Sequence, residues 1–287
     1  MGLPETDFDR ERRWWDSKAF KEETDSADEG INRALRWREI ERNLEGVKTI
    51  LEIGGATGVF SIPLAGRGFQ VTNLDLSPEM LAVARAKAQG VPGIEFVEGK
   101  ASDLTQFCDR SFDLVLNMDG AISFSGAEAT MAIQETCRVA AKKVILTVSH
   151  RAQMIASWVA ASLAKTGRIN SAARAMIDHR EWHQEQFPDN AVMTTGLTQD
   201  YLGALKAFLP EELGELLRGA GMQVLRCGGL GSLAGLCDRE FITGISKNGA
   251  LLEPFLDVCE RFDSEILPSG PGTRLRAGLI AVAQRPD

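Results

Sequence analysis

The 287-residue sequence predicts an α/β fold: a largely parallel sheet with helices on both faces, an N-terminal helical cap and helical inserts. Three observations carry that prediction. Segments with strand and helix periods alternate between residues 48 and 149. The first strand runs into the glycine turn of TILEIGGATGVF, Thr49 to Phe60, which opens a helix. The second strand, Phe69-Gln70-Val71-Thr72-Asn73-Leu74, ends in Asp75, where a carboxylate can accept both hydroxyls of a ribose.

Taken in order, residues 9–44 read as helical and strongly charged, with Trp14, Trp15, Phe20, Ile31, Leu35, Trp37 and Ile40 as the apolar positions. They make residues 1–46 a cap. A cofactor-binding core, 47–150, then holds strand 48–53, helix 57–66, strand 69–74, helix 78–89, strands 94–98 and 112–117, helix 127–139 and strand 143–149. Ser77-Pro78-Glu79 supplies a helix cap and a first-turn proline directly after Asp75. A helical insert, 151–200, breaks the rhythm with Trp158, Met176, Trp182 and Phe187 and sits where a lid or acceptor site belongs. Residues 201–287 return to the core through a helix from Leu209 to Gly219, a strand 222–227 and a closing strand 275–283, with a second insert at 229–272.

Composition narrows the function. Lys plus Arg is 32 against 40 for Asp plus Glu, a net charge of -8, so a nucleic acid backbone meets general repulsion. The five cysteines are scattered without a CxxC pair, as in a reduced cytoplasmic chain. The opening MGLPETDFDRERRWW carries charge where a signal peptide needs an apolar core, and no apolar stretch reaches spanning length. His179 and His183 stand four apart without an evident third ligand, so no metal is expected.

The turn Glu52-Ile53-Gly54-Gly55-Ala56-Thr57-Gly58 lacks the three-glycine spacing that suits a pyrophosphate. Glu52 repels an anion and suits a ligand bearing an ammonium and a sulfonium, which methionine joined to adenosine provides. At this point the chain resembles the class I S-adenosylmethionine-dependent methyltransferases. The likeness rests on LEIGGATG at 51–58, VTNLDLSPEMLAVAR at 71–85, VEGKASDL at 97–104 and FDLVLNMDGAISF at 112–124. PEELGELLRGAGMQVL at 210–225 and LRAGLIAVAQR at 275–285 are similar to that family's last helix and terminal hairpin.

The resemblance implies a Rossmann-like sheet, mostly parallel with an antiparallel terminal strand, and S-adenosylmethionine as cofactor. In that arrangement Gly54, Gly55 and Gly58 hold the methionine portion with Glu52, and Asp75 binds the ribose. Leu76 and Met80 pack beside the adenine, Ser102 and Asp103 stand at its edge, and Asn117 and Met118 flank the sulfonium. Asp119 is the first candidate to orient or deprotonate an acceptor and His150 the second. Trp14, Trp15, Trp37, Glu181, His183 and Tyr201 are acceptor-pocket candidates, the tryptophans alternatively serving only to bury the cap. Asn73 occupies a strand position expected to be buried, without an account at this level.

The expected function is methyl transfer to a small-molecule O, N, C or S nucleophile by a monomer or homodimer. Two alternatives use the same sheet: a nicotinamide-dependent oxidoreductase, and a non-catalytic S-adenosylmethionine-binding regulatory module.

Overall fold

A computed structural model describes residues 6–20, 27–118, 120–167, 171–183, 204–273 and 278–286. The cap consists of α1 (Phe8–Asp16) and α2 (Ala27–Arg42). The core follows with β1 (Thr49–Ile53), α3 (Ser61–Gly66), β2 (Gln70–Asp75), α4 (Pro78–Lys87), β3 (Ile94–Glu98), β4 (Phe112–Asn117), α5 (Ala121–Phe124), α6 (Ala129–Val139) and β5 (Ala140–Val148). Next come α7 (Arg151–Thr166), α8 (Ser171–Asp178), β6 (Glu181–His183) and β7 (Ala204–Lys206). The chain closes with α9 (Pro210–Gly219), β8 (Gln223–Gly229), α10 (Ser232–Leu236), α11 (Arg239–Ser246), α12 (Gly249–Arg261) and β9 (Leu279–Gln284).

The main sheet has seven strands in the order β3-β2-β1-β4-β5-β9-β8 among the described residues. The pairs from β3 to β5 are parallel, and β9 runs antiparallel to both β5 and β8. Strand periodicity sorts the core onto two faces. Ile50, Leu114, Leu116, Ile145, Ile280 and Val282 point to the face that α2 covers with Ile31, Leu35 and Ile40. Leu51, Ile53, Val115, Val144, Leu146 and Ala281 point to the other, against Ile133 and Cys137 of α6 and Leu213 and Leu217 of α9. A parallel sheet covered on both faces requires this near-continuous apolar content, which the strands around β1 supply.

Three elements differ from expectation. The helix after the glycine turn starts only at Ser61, because Ala56 and Gly58 adopt positive φ and spend the first residues in turns. The closing strand, expected over 275–283, runs over Leu279–Gln284, and residues 274–277 lie outside the described residues. The insert carries a small antiparallel pair, β6 with β7, that three-residue strands leave no room to announce. This pair returns the chain to the sheet, where Phe208 donates its N–H to the Ser149 carbonyl at 2.9 Å and accepts from Arg151 N–H at 2.9 Å.

Candidate active site

The carboxyl ends of β1, β2 and β3 and the start of α5 open onto one cavity. Its floor begins at the glycine turn. Gly54 and Gly55 both donate backbone N–H to the Leu74 carbonyl, at 2.7 and 3.1 Å, which folds the turn back onto β2. Gly54 has φ +69, and a Cβ there would stand 2.6 Å from the Ala121 methyl. Asn73 now has an explanation: its amide donates to Ser61 Oγ at 2.8 Å and to the Gly55 carbonyl at 3.3 Å, tying β2 to the turn and to α3. A Cβ at Gly55 would lie 2.6 Å from the Asn73 side chain, so the two residues require each other.

Asp75 lines the same cavity. It accepts from Ala56 N–H at 2.8 Å through one oxygen and from Ser77 N–H at 2.9 Å through the other. Burial pushes its carboxyl up to about 6, with Asp16 adding to the rise and the Ser77 and Ala56 N–H groups opposing it. A carboxylate offers about four lone-pair sites, so acceptor capacity remains for a ligand. Leu76 and Met80 continue the wall beside it, and Gly99, Lys100 and Ala101 supply the far end.

The cap closes the cavity from above. Phe8, Glu11 and Trp15 line it from positions three and four apart on α1, one helix face, and Phe124 and Ser125 meet them from the α5 side. Asp16 accepts from Ser77 Oγ at 2.6 Å, so α1 is hooked to the loop that carries Asp75. Thr6 Oγ1 donates to the Ser125 carbonyl at 3.0 Å.

Comparison with known proteins agrees with this architecture. Residues 50–143 match the family described as methyltransferase domain. The core from β1 to β5 is thus similar to a methyltransferase domain. A demethylmenaquinone methyltransferase of Chlorobaculum tepidum is 42% identical to this chain over 86 residues, 29% of this chain and 34% of the relative. A ubiquinone biosynthesis O-methyltransferase of Pseudomonas syringae pv. tomato is 32% identical over 105 residues, 36% of this chain and 43% of the relative. The chain spans about a third of the length of the first curated relatives it matches. Two crystal structures share the fold. An S-adenosylmethionine-dependent methyltransferase from Methanosarcina mazei has 18% identity and a TM-score of 0.52, with 86% of this chain and 96% of that chain covered. Another from Mesorhizobium loti has 16% identity and a TM-score of 0.52, covering 89% and 100%.

Within this core the structure brings Gly54, Asp75, Leu76 and Met80 to the cavity, with Trp15 joining them from the cap. Gly55 and Gly58 shape the turn from outside the lining. Several expected residues lie elsewhere. Asp103 is exposed and accepts from Thr105 Oγ1 at 2.7 Å, while the buried Ser102 hydroxyl donates to Glu128 at 2.5 Å. Met118 packs into the core under α2, and its carbonyl accepts from Arg36 and Thr147, each at 2.5 Å. Glu52 and Asn117 are buried at the strand ends, and both polar atoms of the Asn117 side chain have no hydrogen-bond partner among the described residues.

His150 is not among the residues that line this cavity. It sits at the N-terminus of α7, its Nδ1 accepts from Ala152 N–H at 3.2 Å, and burial lowers its pKa. Trp37 packs against Phe60 at 5.1 Å on the α2 side, and Trp14 is buried edge-on to Trp15 at 4.4 Å. Glu181 is buried and paired with Lys206 at 2.6 Å, bracing β6 against β7. Asp119, Tyr201 and the side chain of His183 lie outside the described residues.

The site residues that sequence reasoning missed are Phe8, Glu11, Lys100 and Phe124. One signal was present: Phe8, Glu11 and Trp15 are spaced three and four apart within a charged run. Their common face pointed to a shared surface without saying which one.

Proposed function

We propose that the protein is an S-adenosylmethionine-dependent methyltransferase acting on a small molecule. The observation that carries this reading is one cavity joining the Gly54 turn to the buried carboxylate of Asp75. The residues fit the cofactor. The Gly54 backbone leaves room that a side chain would fill, Asp75 retains acceptor capacity for the ribose, and Leu76 and Met80 offer apolar contact for a flat base. Gly99 to Ala101 take the edge of the base that the sequence assigned to Ser102 and Asp103.

The bound cofactor supplies an electrophilic methyl group on a cationic sulfur, so no metal is needed to activate it. The chain's own contribution is alignment and exclusion of water. The strand-end loops fix the cofactor, while α1, Phe124 and Ser125 close the cavity and hold an acceptor in line with the methyl carbon.

The net charge of -8 supports a small-molecule acceptor over nucleic acid, and five free thiols support a cytoplasmic setting. No helix among the described residues is long and apolar enough to cross a membrane. The test is calorimetric titration of S-adenosylmethionine, S-adenosylhomocysteine and NADH. Saturable binding of the first two, with label transferred from the methyl group into a metabolite extract, is the expected result. Binding of NADH alone sinks the reading.

A further inference from the structure

The cap brings an aromatic ring to the end of the cavity where the base of the cofactor belongs. Phe8 opens α1 directly after Asp7, whose carboxylate accepts from Arg10 N–H at 3.0 Å and starts the helix. The helix is pinned at both ends. Thr6 fixes its start to the Ser125 carbonyl and Asp16 fixes its end to Ser77, so α1 lies across the cavity between two loops of the core. Phe8 and Trp15 stand two turns apart on one helix face, and both line the cavity.

Lys100 shows which end Phe8 occupies. It belongs to the Gly99 to Ala101 segment that follows β3, and its Nζ lies 4.6 Å from the Phe8 ring centroid. The same ammonium pairs with Glu128 at 3.2 Å, and Glu128 also accepts from Ser102 Oγ. Glu128 thus fixes Lys100, and Lys100 in turn holds the ring at the base end. Leu76 and Met80 line the same cavity. One flat hydrocarbon ring and two apolar side chains around a shared space suit a flat, uncharged heterocycle.

We infer that Phe8 is the cap's contact with the adenine of S-adenosylmethionine and completes, with Leu76 and Met80, the slot for the base. This rests on the methyltransferase reading and extends the cofactor site from the strand-end loops into the cap. Lys100 is a positioning residue that acts through the ring. An aromatic side chain against a nucleobase contributes about tenfold or more to affinity. A base held from both sides leaves only after α1 lifts.

The test is calorimetric titration of S-adenosylhomocysteine into the full chain. Phe8→Leu keeps an apolar side chain and loses the ring, so binding should weaken about tenfold, while Phe8→Tyr should bind within about twofold of the wild type. A loosened cap could lower affinity without any contact, so the second readout is the contact itself. In wild-type protein carrying ring-labelled phenylalanine, saturation with S-adenosylhomocysteine should give a nuclear Overhauser effect between the Phe8 ring and the adenine C–H protons. The Phe8 signal is the one that Phe8→Tyr removes. Wild-type affinity in Phe8→Leu, an equal loss in Phe8→Tyr, or absence of that Overhauser effect overturns the inference. If Phe8→Leu does not fold, which circular dichroism reports, the Overhauser measurement on the wild type decides alone. A wild type that binds neither S-adenosylmethionine nor S-adenosylhomocysteine sinks the methyltransferase reading, and this inference falls with it.

Discussion

The two walls of the cavity are built by different means. On the strand-end wall, Gly54, Gly55, Ala56 and Asp75 belong to one β-α-β stretch, and their geometry is enforced by bonds across 18 or 19 residues, such as Asn73 to Gly55 and Ala56 to Asp75. On the cap wall, Glu11 is held by Ala204 from 193 positions away and Thr6 by Ser125 from 119 away. The near wall is a motif, while the far wall exists only once the chain has folded. Cofactor binding should therefore respond most to single changes in the β1–β2 loops, and changes to the cap beyond Phe8 should act on acceptor handling and on closure.

The largest expected effect tests the near wall. Asp75→Ala removes the acceptor for the ribose hydroxyls, and charged hydrogen bonds contribute about 1.5–3 kcal/mol each, so affinity for S-adenosylmethionine should fall at least about a hundredfold. Calorimetry checks it, with circular dichroism expected to show an unchanged fold. Retained affinity would mean that the cofactor is held mainly by the cap. Gly54→Ala comes next. It forces a Cβ at φ +69 against the Ala121 methyl, 2.6 Å away, and should cost about 2 kcal/mol in denaturant unfolding together with a loss of cofactor affinity.

A pH series sharpens the same comparison. Asp75 titrates at about 6 because burial raises it, and only the carboxylate accepts ribose hydroxyls. Cofactor affinity should therefore fall about tenfold per unit as pH drops below that value. The sign for the unliganded protein is opposite. A raised carboxyl favours the folded state while protonated, below its ordinary range, and that stability is lost as pH rises through about 6. Asp75→Asn should flatten both profiles, and an unchanged affinity profile in that variant would assign the pH dependence to another group.

The boundary between the walls is the Asp16–Ser77 hook. Ser77 caps α4 through Met80 N–H at 3.1 Å and donates to Asp16 at 2.6 Å, so Ser77→Ala loses a cap and a tether together. About 1 kcal/mol of stability should go, and release of S-adenosylhomocysteine, followed by stopped flow, should quicken as α1 loosens. Asp16→Asn separates the two roles. It leaves the cap intact and should alter release without the stability loss.

What the sequence disclosed follows the same division. The βα alternation, the glycine turn and Asp75 were legible because strand periodicity and short-range turn chemistry write them into contiguous residues. The β6–β7 pair and the Glu11 position were not, since three-residue strands carry no period and a helix face does not name the surface it meets. The contact of His150 was not legible either: it follows β5, and its ring caps α7 through Ala152 N–H. The tryptophans divided by helix face, Trp15 reaching the cavity while Trp37 turned to Phe60 on the other side of the sheet.

The smallest expected effect is the most pointed test of that lesson. The resemblance assigned the base edge to Asp103, but Gly99 to Ala101 line the cavity and the chain then turns, the Lys100 carbonyl accepting from Asp103 N–H at 3.1 Å. Asp103 is carried beyond it to the surface, where the Thr105 hydroxyl and N–H hold its carboxyl below the usual range. Asp103→Ala should change stability by no more than about 0.5 kcal/mol and leave S-adenosylhomocysteine affinity within about twofold. A tenfold loss would mean that the loop after β3 rearranges around the bound base and that Asp103 reaches its edge, as the resemblance implies.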